Sequence, residues 1–152
     1  MKNITPNSTP DDISVELSSR RTGMSFQRTR MSADRTLMSV IRTSLSLIGF
    51  GFTIFQFFQK LREGNVLESA APARNFGMAL VLLGIAMLVI GIAYHMQFML
   101  GLRAERAEMT ADGLIHSESR FPPSLTLITA FILLAIGIAA IVSMLFHIGP
   151  FG

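Results

Sequence analysis

Residues 21–58 read RTGMSFQ RTRMSAD RTLMSVI RTSLSLI GFGFTIFQFF: one seven-residue phrase, Arg, Thr, any residue, Met or Leu, Ser and two variable positions, repeated four times and running into an apolar segment. The copies start at Arg21, Arg28, Arg35 and Arg42. Seven residues make about two helical turns, so a helix stacks the four arginines on one slowly drifting face. A guanidinium row ending inside an apolar run predicts a basic amphipathic helix feeding a membrane span, with phosphate groups as its natural contacts.

The composition agrees. Half of the 152 residues are hydrophobic and only 15% are charged, a balance suited to an integral membrane protein. There is no cysteine, which excludes disulfides, thiol catalysis and Cys-based metal sites. The formal net charge is only +3, so the placement of the basic residues is more informative than their excess. Residues 1–12 are polar, contain Pro6 and Pro10, and read as a disordered tail. No apolar run follows Lys2, so no cleaved signal peptide is predicted. The glycosylation-like triplets at Asn3 and Asn7 are too short to carry weight.

Outward from the repeats, three stretches reach the roughly 20 apolar residues that a bilayer crossing takes. They are residues 37–58, with the single charge Arg42, and residues 76–100 and 124–148, both uncharged. The predicted fold is an all-α membrane protein: a basic amphipathic helix over 13–36, then a three-helix transmembrane domain over 37–148. Pro122 and Pro123 suit the start of the third helix, where a missing N–H costs little. Lys2, Arg20, Arg21, Arg28, Arg30 and Arg35 precede the first span, and Arg103, Arg106 and Arg120 lie between the second and third. Lys60, Arg62 and Arg74 lie on the other side. The positive-inside rule then predicts a cytoplasmic N-terminus and an external C-terminus, in a bacterial inner membrane.

Small residues mark the expected packing faces. Gly77, Gly84 and Gly91 recur every seven residues in the second span, and Ala135 and Ala139 stand four apart in the third. Such residues let membrane helices approach where lipid supplies no hydrophobic drive for association.

On a helical wheel the arginine, serine and threonine of the repeat occupy adjacent sectors. The variable positions fill the opposite side and grow apolar toward residue 48. That pattern reads as a helix with its variable side toward lipid and a polar path inward. Arg35, Arg42, Thr36, Ser39, Thr43 and Ser46 are the candidate anion-facing residues. Three helices enclose no useful pore, so conduction implies a homo-oligomer, in which each arginine position becomes a charged ring. A second reading places Arg21, Arg28 and Arg30 on anionic lipid headgroups, at ~1 kcal/mol each. In that reading Arg42, about 8 Å into its span, snorkels back to the surface.

Around Ser32–Thr36 and Ile41–Gly51 the chain resembles the YidH-type family of small bacterial inner-membrane proteins, a domain of unknown function with three transmembrane helices. That family is similar in turn to the membrane subunits of the fungal vacuolar transporter chaperone complex, which makes and translocates polyphosphate. The resemblance covers roughly residues 30–147. It implies membrane location and the three-helix fold, and polyphosphate handling more remotely. Asp34 stands where the family usually has Glu, and Val40 where Trp is common. Basic residues after the second span resume only at Arg103.

His95, His116 and His147 fall in different segments and imply no shared metal site; His95 reads as an interfacial residue. Glu105, Glu108, Asp112 and Glu118 lie near Arg103 and Arg106, and read as a solvated helix end with pairs across turns. No phosphate-binding glycine loop or nucleophile–base pair stands out. The sequence therefore predicts no enzyme, cofactor, metal or nucleic-acid partner. It predicts an oligomer that binds or passes a phosphate-rich anion or, alternatively, a non-conducting accessory subunit with its arginines on lipid.

Overall fold

The computed structural model describes residues 9–64, 71–111 and 124–146. The tail before Thr9, and with it Asn3, Asn7 and Lys2, lies outside the described residues, as do Pro122, Pro123, His116, His147, Asp112, Glu118 and Arg120. The described chain forms three helices in the order α1 (Pro10–Glu63), α2 (Ala71–Ala111) and α3 (Leu125–Phe146). Each is long and apolar enough to cross a membrane, and the chain is an all-α, multi-pass integral membrane protein.

Local chemistry sets the helix ends. α1 starts at Pro10, three residues inside the stretch read as a disordered tail. Proline's fixed φ suits a first turn, and the carbonyl of Thr9 accepts the Ile13 N–H at 3.1 Å. Lys60 and Arg62 sit in the last turn, at the negative end of the helix, as its dipole favours. The Gly64 N–H closes the last turn on the Lys60 carbonyl at 3.0 Å. Ser124 caps α3, its Oγ accepting the Leu127 N–H at 3.4 Å. No glycine or serine interrupts α1, so the amphipathic segment and the first span are one helix of 54 residues.

The chain divides into two compact units. The first contains the described parts of Met1–Arg35 and His95–Pro123. Its apolar centre is Phe26 against Leu102, with Met109 packed on them. The second contains Thr36–Tyr94 and Ser124–Gly152 and holds two apolar clusters. One is Leu37, Ile41, Leu88, Ile92, Ala130 and Leu133; the other is Ile48, Phe55, Val81 and Met144.

Within the second unit the buried residues of α1 are Leu37, Ile41, Ser44, Ile48, Gly51 and Phe55, alternating spacings of four and three. α2 answers with Gly77, Val81, Gly84, Leu88 and Ile92. This is the seam of left-handed, coiled-coil-like packing. The α2 glycines fix its direction. A Cβ on Gly77 would lie 2.6 Å from the Gly51 carbonyl oxygen; on Gly84 it would meet Ile48 at 2.8 Å, and on Gly91 Val40 at 2.6 Å. Ascending α2 descends α1, so the pair is antiparallel with the backbones nearly touching at Gly51 and Gly77.

α3 differs from its sequence reading. Ala135 and Ala139 are exposed, while Ala130, Leu133, Gly137 and Ala140 are buried. The seam of α3 runs at alternating spacings of three and four, whereas a strict four-residue stripe drifts around the helix. Gly137 is the close-approach residue here, a Cβ at that position meeting Ile85 at 3.1 Å and Ile48 at 3.2 Å.

Candidate functional site

The repeat of α1 has two faces, and the structure assigns them opposite to the sequence reading. The variable positions, expected toward lipid, make the contacts inside the chain. In the third place of the repeat Arg30, Leu37 and Ser44 are all buried, at 8%, 1% and 0% exposure. In the last place Ile41 and Ile48 are buried as well. In the second unit the physical reason is that the helices must bury something against one another, and Leu37, Ile41, Ser44 and Ile48 supply an apolar or small surface. In the sixth place Phe26 is buried and Ala33, Val40 and Leu47 are half-buried, while the arginine, Met or Leu and serine places face outward.

In the second unit that outward face carries Arg42, Thr36, Ser39, Thr43 and Ser46, all exposed. Thr43 Oγ1 donates to the Ser39 carbonyl at 3.1 Å, and Ser46 Oγ to the Arg42 carbonyl at 3.0 Å. Their protons are thereby committed to the helix one turn back, and their lone pairs point outward. The guanidinium of Arg42 is thus the strong hydrogen-bond donor of this face. Leu45 is also exposed here, 54%, so the face is mixed rather than wholly polar.

In the first unit Arg21, Arg28 and Arg35 are likewise exposed. Arg30 is not among them. It is buried and engaged within the chain, which takes it off the headgroup-contact face proposed from the sequence. Its address in the repeat, the same as that of Leu37, accounts for this. Arg20 pairs with Glu16 one turn away at 3.0 Å.

The sequence reading missed one pairing. His95, taken as an interfacial residue, is 4% exposed and stands with its Nε2 3.5 Å from Asp34 Oδ1. The distance is within ion-pair reach, yet Nε2 makes no hydrogen bond there. A buried imidazole beside a carboxylate is an ionisable contact holding α1 to α2 inside the first unit. Its signal was available: His95 follows Leu88 and Ile92 at the seven- and three-residue steps of the α2 seam.

Residues 28–101 match the model of a family described as "Domain of unknown function (DUF202)". The matched stretch takes in Arg28, Arg35, Arg42, Asp34, His95 and the three α2 glycines. No curated protein and no solved structure matches the chain.

Proposed function

We propose that this membrane protein works as a homo-oligomer that binds or passes a phosphate-rich anion along the outward face of α1, with Arg42 and Arg35 as the contacting groups. The observation that carries the reading is that Arg42, Ser39, Thr43 and Ser46 are exposed within a membrane-spanning helix and take no part in its buried seam. An arginine left on hydrocarbon costs ~3 kcal/mol even on insertion-based scales. Covering this face with other copies of the chain removes that cost and turns each arginine into a ring. Arginine's planar fork suits phosphate oxygens, and the YidH-type family that the sequence resembles is similar in turn to membrane subunits of a polyphosphate-translocating complex, which supports the same ligand class. The role assigns no catalysis. In this reading the N-terminus lies in the cytoplasm of a bacterial cell, which the arginines of the first unit support through the positive-inside pattern.

The test is anion current through purified protein in a planar bilayer, with phosphate and short polyphosphate as carriers. Arg35→Ala combined with Arg42→Ala is expected to lose anion preference while keeping the oligomer. A correctly assembled wild type silent with both carriers sinks the conducting reading. The exposed Met31 and Met38 beside these arginines, at 52% and 45%, favour a second reading in that event. In it, the face lies against lipid, Arg42 snorkels to headgroups, and the protein anchors a partner.

A further inference from the structure

The first unit carries an unmatched charge pattern on each of its two helices. On α1, Arg21 and Arg28 stand seven residues apart on the exposed back of the helix. On α2, Glu105 and Glu108 stand three apart on one exposed flank. Neither pair has an ion-pair partner among the described residues, whereas Arg20 has found Glu16 and His95 has Asp34. The pairs across turns that the sequence suggested for the two glutamates are absent among those residues.

The two charge pairs lie at nearly the same height. Asp34 on α1 stands opposite His95 on α2, and the Phe26–Leu102 contact fixes the antiparallel direction. Arg21 lies thirteen residues before Asp34, and Glu108 thirteen residues after His95. Both are therefore about 20 Å along their helices from the same reference contact. Arg28 and Glu105 differ in height by roughly four residues, or ~6 Å, which the length of an arginine side chain spans. The two charge sets face away from the seam in different directions, so they do not meet each other within one copy.

A second copy can. Copies arranged about an axis parallel to the helices stand at the same depth, so groups of equal height meet across each contact. Gly101 shares the flank of Glu105 and Glu108, and a Cβ there would meet nothing within 4 Å. A neighbouring helix therefore has room to come close.

We infer that the exposed Arg21 and Arg28 of one copy dock on the Glu105–Glu108 flank of the next, a head-to-tail contact between identical chains. The inference rests on the homo-oligomer reading above and adds the surface that would build it. Charge complementarity of this kind mainly sets which surfaces meet, because juxtaposed like charges are strongly disfavoured.

Full-length chains carrying two different tags would be co-expressed, extracted in mild detergent, and captured through one tag. The variants are Arg21→Glu with Arg28→Glu, and Glu105→Arg with Glu108→Arg. Each is expected to capture its own kind at least about tenfold less than wild type captures wild type. The two variants are expected to capture each other near the wild-type level, which also shows that both are folded. Self-capture at the wild-type level by both variants overturns the inference and leaves the oligomer intact. Mutual capture no better than self-capture overturns it too. So does unchanged assembly in an arginine variant that no longer binds phosphatidylglycerol vesicles, which would assign the arginines to headgroups. A wild type that captures no second copy, in detergent or in lipid nanodiscs, removes the oligomer reading as well.

Discussion

At the scale of single residues, the glycines discriminate most sharply. At Gly51 and Gly77 an added Cβ would lie 2.6 Å from a backbone oxygen of the facing helix. No rotamer change relieves that, because the obstacle is main chain. Gly51→Ala and Gly77→Ala are each expected to destabilise the protein by about 1–3 kcal/mol, the usual cost of overpacking. Gly84 is milder, since its nearest obstacle at 2.8 Å is the Ile48 side chain. Gly49 sits two residues from Gly51 with nothing within 4 Å. Gly49→Ala is expected to be neutral or to stabilise by up to ~1 kcal/mol, through helix propensity alone. Thermal unfolding in detergent, followed by circular dichroism, separates the two classes. Equal losses at Gly49 and Gly51 would contradict the close approach.

At the scale of elements, α1 reverses what its composition suggests. Neighbouring residues show it best: Leu37 is 1% exposed and Met38 45%, although both are apolar and both belong to the third copy of the repeat. Leu37→Ala is expected to cost about 2–5 kcal/mol, as truncation in a packed core does. Met38→Ala should stay within about 0.5 kcal/mol in the isolated protomer. The same unfolding measurement compares them, and the opposite ranking would restore the inside-out arrangement read from the sequence. Much of the fold was legible because its signals are long-range averages: apolar length marks the spans, and recurring glycines mark the α2 seam. The orientation of α1 was not legible. A seven-residue repeat fixes which residues share a face, but not which face meets the other helices. That choice depends on the partner surface, here the glycine stripe of α2, which accepts Ile48 and Val40. Arg30 and His95 were misread for a related reason. Charge and polarity suggested the surface, while their positions in the repeat and the seam placed both residues in the interior.

At the scale of the whole molecule, helix length and bilayer thickness constrain topology. α3, with 22 residues, is about 33 Å long and close to the ~30 Å hydrocarbon core. α1 has 54 residues and α2 has 41, so both extend well beyond that core at one end. The charges say which end. On α1, residues 37–58 carry only Arg42, while Arg20, Arg21, Arg28, Arg30 and Arg35 precede them; on α2, Arg103 to Glu108 follow the apolar run. The N-terminal part of α1 and the C-terminal part of α2 are therefore expected on one side of the membrane, and Gly64, at the other end of α1, on the opposite side. With no native cysteine in the chain, a single introduced thiol reports its own location. The sites for this are Thr9→Cys and Ala111→Cys at the charged ends, and Gly64→Cys at the far end of α1, all at exposed positions. In intact cells a membrane-impermeant maleimide is expected to label Gly64→Cys at once, and the other two only after permeabilisation. Labelling of Thr9→Cys and Ala111→Cys alone would invert the orientation and place the arginine face of the first unit outside the cell. Labelling of all three in intact cells would mean that the ends of α1 do not lie on opposite sides, and that this helix does not span the bilayer.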